Sequence, residues 1–217
     1  GHAVIQVDED GRNSIVISAG ANRELDSELI QDAILRLENT DWLLLQNETN
    51  GIAEAIELAA QKGKKVAINI APADERMFDY PLSKVALIIV NELEAMALSS
   101  KSSPQLAFDS LIKAYPEIDI VLTLGEEGVW SYRAKDSARR GLASFNIDAT
   151  DETAAGDSFI GYLMATLVAG RDLHESITLA SAAGALATTK AGAVDSIPSL
   201  DAVKALASEQ ELKILDL

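Results

Sequence analysis

Seven residues, Asp151-Glu152-Thr153-Ala154-Ala155-Gly156-Asp157, run directly into the apolar stretch Ser158 to Ala169. They place small residues and a carboxylate at a helix start. There the first backbone N–H groups have no intrahelical acceptor, and the macrodipole leaves partial positive charge. An anion can rest on Ala154, Ala155 and Gly156, none of which carries bulk to hold it off. Asp157 then stands where a carboxylate can accept a proton from a hydroxyl attacking phosphorus. The same residues also fit an ordinary alternative, a helix N-terminus capped by the side chain of Asp157 or Ser158.

The elements that must position these residues are legible in the hydrophobic pattern. Ala3 to Val7 and Ser14 to Ser18 are β-branched runs joined by the turn-rich segment 8–13, which reads as a β-hairpin. That acidic turn lacks the later ligands of a calcium loop. From Leu25 onward, helical periods alternate with short buried runs. Leu29 to Leu37, Ile52 to Gln61, Leu93 to Leu98 and Gln105 to Ala114 read as helices; Trp42 to Leu45, Val66 to Ile70, Val85 to Val90 and Ile120 to Leu124 read as strands. Short apolar strands separated by helices imply crossover connections, hence an α/β fold with a mostly parallel central sheet flanked by helices. A strand pair is expected over Val129 to Tyr132 and Gly141 to Phe145, followed by helices over Ser158 to Ala169, Leu173 to Thr189 and Leu200 to Ala207.

In such a sheet, ligands sit outside the carboxyl ends of the strands. The residues there are polar: Gln46, Asn47 and Glu48; Asn69; Asn91 and Glu94; and Thr123 to Gly128. Asn91-Glu-Leu-Glu94 has the spacing of a helix capping box. Thr123-Leu-Gly125-Glu-Glu-Gly128 can be a glycine turn between two strands. Glu48 can be a solvated loop carboxylate, and Gly192 can belong to a helix C-cap region. Neither a Gly-x-x-x-x-Gly-Lys-Ser/Thr loop nor a Gly-x-Gly-x-x-Gly fingerprint is present.

The run Asp-x-Thr-Ala-Ala-Gly-Asp-Ser-Phe resembles the C-terminal signature of the ribokinase family, the sugar kinases that include the B-type phosphofructokinases. The other motifs follow in the family's order, including Gly20-Ala-Asn22 after the hairpin. The resemblance implies that Asp157 is the catalytic base, and that Ala154, Ala155 and Gly156 form the anion hole. It implies that Asn91 and Glu94 hold Mg²⁺ through its waters beside the nucleotide, and that Thr123, Gly125 and Gly128 approach ATP together with Asn91. Glu48, with Asp157, falls at positions that contact the sugar. Asp151, Thr153, Ala187, Lys190, Gly192 and Ser196 match the stretch that holds a monovalent cation, K⁺, mostly through backbone carbonyls. Residues 1–20 correspond to part of a β-sheet lid through which two subunits could pair as a homodimer, and residues 21–217 to the α/β nucleotide-binding core.

Three departures from the family pattern stand out. The N-terminal Gly-Gly motif, with the nearby Asn and Asp that grip the sugar, has no counterpart, as if the chain began after the first third of a family member. Glu152 stands where Thr is usual, and Lys190 where ribokinases often carry Arg.

Composition narrows the remaining choices. In 217 residues, 48% are hydrophobic and 24% charged, as in one ordinary globular domain, and no apolar run approaches the roughly 18 residues that cross a bilayer. A net charge of −16 repels nucleic acid and anionic lipid. The absence of cysteine removes disulfides and thiolate chemistry. A cytoplasmic protein is expected. His2 and His174 lack zinc-ligand spacing and read as surface or packing residues. The leading expectation is an ATP-dependent, ribokinase-like sugar kinase. Two alternatives stand beside it: a non-catalytic nucleotide-binding fragment, or a family member acting on fructose, a phosphosugar or a nucleoside.

Overall fold

The computed structural model describes residues 1–7, 13–38, 41–210, 212–215 and 217. The chain forms two compact units, Gly1–Ala86 and Leu87–Leu217.

In the first unit, β1 (His2–Val7) and β2 (Asn13–Ser18) pair antiparallel, with Ala3 opposite Ile17. The acidic turn of residues 8–12 lies outside the described residues. Helix α1 (Ser27–Leu35) begins two residues earlier than its periodicity suggests, because the Asp26 carboxylate accepts the Leu29 N–H at 2.8 Å. It buries Ile30 and Ile34. Strand β3 (Trp42–Gln46), helix α2 (Ile52–Gln61) and strand β4 (Lys65–Asn69) form the expected crossover unit, with β3 and β4 parallel and Leu44 opposite Ala67. From Val66 to Asn69, β4 is buried, whereas no residue of β3 is.

The second unit opens with β5 (Leu87–Asn91), α3 (Glu92–Ser99), α4 (Pro104–Ala114) and β6 (Asp119–Thr123). The two strands are parallel and nearly fully buried, as their unbroken apolar sequence requires. From β6 the direction reverses: β7 (Val129–Arg133), β8 (Ala138–Leu142) and the two-residue β9 (Ile214–Leu215) add antiparallel. The α/β class holds, with a mixed sheet. The short turn after β6 permits a hairpin and excludes a crossover. Strand β8 also lies earlier than the expected Gly141 to Phe145. Pairing with β7 ends where Leu142 faces Val129, and Phe145 leaves the sheet to join a buried cluster with Ala182, Ala183, Val203 and Leu206.

Three helices complete this unit: α5 (Ala155–Val168), α6 (Leu173–Ala187) and α7 (Leu200–Glu209). Buried Ala180, Ala182, Ala183 and Ala187 give α6 a small-residue surface against which neighbouring helices pack closely. At Gly184 a Cβ would meet the Ala155 carbonyl oxygen at 3.2 Å and the Phe159 Cβ at 3.5 Å. Gly184 thus lets α6 lie directly against the first turn of α5.

Candidate active site

The start of α5 is not capped by a side chain. Its N-cap is Ala154, in the left-handed conformation (φ 61°), and neither Asp157 nor Ser158 caps it. A left-handed alanine costs about 1–2 kcal/mol, a strain of the kind concentrated at functional sites. The Ala155 N–H bonds the Glu152 carbonyl at 3.2 Å and the Ser158 N–H bonds that of Ala154 at 2.9 Å. Between them, the N–H groups of Gly156 and Asp157 have no acceptor among the described residues. Both residues are exposed, and no atom lies within 4 Å of where a Gly156 Cβ would stand. Free donors, positive helix end, steric openness and an exposed carboxylate coincide within one turn. Just behind, the buried Ser158 hydroxyl also has no partner among the described residues.

The approach to this turn is fixed by Asp151. One carboxylate oxygen accepts the Thr153 N–H at 2.9 Å, and the other accepts the Gly192 N–H at 2.9 Å. The N–H groups of Thr150 and Asp151 both bond the Thr188 carbonyl, at 2.7 and 3.0 Å. Hydrogen bonds from the Thr153 side chain, then from Gly192 and the Thr153 backbone, hold the Asp151 carboxyl down at about 2. The expected cation-loop residues Asp151, Thr153 and Gly192 are therefore brought together. Lys190 reaches the Asp195 carbonyl at 2.7 Å, the Ser196 hydroxyl bonds that of Ala193 at 2.7 Å, and Ala187 is buried as the last residue of α6.

At the carboxyl ends of β5 and β6, Asn91 and Thr123 are register partners. Asn91 and Glu94 form a complete capping box. The Asn91 Oδ1 accepts the Glu94 N–H at 2.8 Å, while the Glu94 carboxylate accepts the Asn91 N–H at 2.9 Å and its Nδ2 at 3.0 Å. Burial pushes the Glu94 carboxyl up; the Asn91 backbone N–H opposes this and Glu92 adds to it. A cation close by would favour the charged form. Among the described residues, no group of three or more His, Asp or Glu side chains could hold a metal directly.

The two glycines after β6 separate. A Cβ on Gly128 (φ 106°) would fall 2.0 Å from the Leu142 carbonyl, so this glycine is required by the β7–β8 pairing. Gly125 (φ 55°) faces open space and can admit a ligand. Thr123 directs its hydroxyl toward the Val90 carbonyl at 3.5 Å.

In the first unit, Glu48 is exposed on the turn after β3. The polar network beside it is absent from the sequence reading except for Asn47. Buried Asn47 donates from Nδ2 to the Pro72 carbonyl at 2.6 Å, accepts from the Tyr80 hydroxyl, and has its own carbonyl bonded by Arg76 at 2.9 Å. Arg76 also pairs with Asp74 at 2.6 Å. Asp74, Arg76 and Tyr80 lie on a single short 3-10 turn, Glu75–Asp79, and its two caps, too short to carry a periodic signal.

The fold and site together define a class: the chain belongs to the pfkB family of carbohydrate kinases, whose family model matches residues 1–200. It is 35% identical to the ribokinase of Haemophilus influenzae over 207 residues, covering 92% of this chain and 66% of that protein. The crystal structure of the Thermotoga maritima ribokinase superposes with a TM-score of 0.79 at 30% identity, covering 95% of this chain and 69% of that one. The Cryptococcus neoformans ribokinase in complex with ADP gives a TM-score of 0.79 at 28% identity, covering 94% of this chain and 70% of that one. The chain spans about two thirds of the length of the curated relatives it matches.

Proposed function

We propose that the chain carries the phosphoryl-transfer half of an ATP-dependent, ribokinase-like sugar kinase. The observation that carries this reading is the open first turn of α5, with two unclaimed N–H donors beside the Asp157 carboxylate. The γ-phosphoryl oxygens accept from the Gly156 and Asp157 N–H groups, while a sugar hydroxyl attacks phosphorus in line. The new O–P bond forms as the bond to the β-phosphate oxygen breaks, ADP departs, and Asp157 takes the hydroxyl proton. Asn91, Thr123 and Gly125 border the nucleotide, and Glu48 contacts the sugar. Asn91 and Glu94 would hold magnesium through its waters, where it would neutralise phosphate charge. A monovalent cation at the Asp151–Gly192 loop would hold the anion-hole turn in register, with Lys190 drawn to the Asp195 carbonyl. Residues 1–20 act as a lid whose exposed register partners Val4 and Val16 offer a surface for pairing in a homodimer. The expected setting is cytoplasmic, and no described helix is long and apolar enough to cross a membrane.

A second reading, nucleotide binding without turnover, is favoured by the incompletely buried β3. Incubation with Mg·ATP and a panel of ribose, deoxyribose, fructose, a phosphosugar and a nucleoside, with products identified by mass, separates the readings. Ribose 5-phosphate is the expected main product. Saturable ATP binding with no product from any acceptor would support the second reading.

A further inference from the structure

In the first unit, an unengaged carboxylate stands on a turn whose backbone is gripped from both flanks. Glu48 follows β3, is exposed, and has no hydrogen bond or ion pair among the described residues. The carbonyls on either side of it are both taken by Arg76. Its Nη2 donates to the Asn47 carbonyl at 2.9 Å and its Nη1 to that of Thr49 at 3.3 Å, across 29 and 27 residues of chain. The other edge of the same guanidinium lies on Asp74, with Nε 2.9 Å and Nη2 2.6 Å from Oδ2. One planar cation thus spans a carboxylate and two carbonyls, a fork that the single charged nitrogen of lysine cannot reproduce.

Stability alone gives little reason for this arrangement. The Arg76 and Asp74 side chains are 35% and 39% exposed, and ion pairs open to water contribute about 0–1 kcal/mol. Thr49 is only partly buried, so water alone would satisfy its carbonyl. Instead the guanidiniums of Arg76 and Arg23 both converge on it, the second at 3.0 Å. Asn47, wholly buried with its N–H on the Ala71 carbonyl at 2.9 Å, and Asn50, with its N–H on the Asn22 carbonyl at 3.0 Å, fix the two ends. Ordering each residue of such a turn costs about 1–2 kcal/mol of backbone entropy, and what the order delivers is a Glu48 backbone held in one place. We propose that Arg76, oriented by Asp74, is a positioning residue for the sugar, fixing residues 47–49 so that Glu48 meets a sugar hydroxyl in a single geometry. The inference rests on the reading that Glu48 contacts the sugar. A carboxylate ordered in advance binds more tightly, because less freedom is lost on binding. That gain is shared by ground and transition states and so belongs to KM rather than kcat.

The test is steady-state phosphorylation of ribose by the native chain, Arg76→Lys, Asp74→Asn, Glu48→Gln and the double variant Arg76→Lys/Glu48→Gln, with amide exchange followed at Asn47 and Asn50. Arg76→Lys should raise KM for ribose at least about tenfold, leave kcat and KM for ATP nearly unchanged, and quicken exchange at both amides at least about fivefold. Asp74→Asn keeps an acceptor for the Arg76 N–H but loses the charge, and should act in the same direction. Once Glu48 is replaced, Arg76→Lys should cost less than about twofold more, since nothing is left to position. Unchanged KM for ribose in Arg76→Lys, unchanged exchange, or fully additive losses in the double variant would overturn this inference alone. So would a fall in kcat and thermal stability with KM unmoved, the mark of a merely structural role. Unchanged KM for ribose in Glu48→Gln, or no product from the native chain, would instead remove the sugar reading of Glu48 and this role with it.

Discussion

At the residue scale, small residues followed by a carboxylate at a helix start single out Ala154, Gly156 and Asp157, and either an anion site or a side-chain cap fits them. What sequence could not decide was who caps the helix. The structure gives that place to Ala154, whose side chain cannot accept a hydrogen bond, and so leaves donors free. Asn91 and Glu94 show the converse: their spacing allows a capping box and the family resemblance implies a magnesium role, and the cap is what the hydrogen bonds display. The two roles separate by substitution. Burial raises the Glu94 carboxyl above its ordinary 4.5, so its stabilising contribution is full below 4.5 and lost as pH rises through the folded value. At neutral pH the buried charge is a cost. Glu94→Gln preserves the cap acceptor and removes the charge, so stability at pH 7 should be unchanged or higher in urea titrations. Magnesium-dependent ATP affinity should nevertheless fall about tenfold or more by calorimetry.

At the element scale, the pattern of short apolar runs and helical periods located the helices and principal strands, because burial on both faces leaves an unbroken signal. It failed where geometry depends on turns. The reversal after β6 and the short β9 are set by local connection and by a distant chain end. The Asn47–Arg76–Tyr80 network joins residues with no shared period. Gly125 and Gly128 looked equivalent in sequence, yet only one faces a neighbouring strand. Gly128→Ala should destabilise the fold by more than about 2 kcal/mol, from a left-handed backbone plus a direct clash. Gly125→Ala, strained by about 1–2 kcal/mol with no clash, should leave a folded protein with weakened ATP binding. Thermal unfolding and nucleotide titration of the pair check this, and equal stability losses would remove the distinction.

At the scale of the whole molecule, family membership and two compact units define the account, and the net charge of −16 leaves nucleotide binding to local backbone donors. Global stability should also carry a pH signature far from the proposed chemistry. His174 is buried near the start of α6, with its Nδ1 3.3 Å from the Ser131 hydroxyl. Burial, with Arg140 and Arg133, pushes its imidazole below the ordinary 6.5 against the opposing pull of Asp172 and Asp136. The unfolded chain therefore binds the proton first, and stability should decline as pH falls from about 6.5 through the folded value. His174→Gln should flatten that decline in urea titrations at pH 7 and 5.5. The central claim concerns turnover: Asp157 accepts the proton while the open turn of α5 holds the phosphoryl group. Ribose 5-phosphate formation from ribose and Mg·ATP, compared between the native chain and Asp157→Asn with nucleotide affinity measured in parallel, tests it most directly. The account predicts at least about a hundredfold slower turnover with nearly unchanged ATP binding. Equal rates, or no product from the native chain, would contradict it.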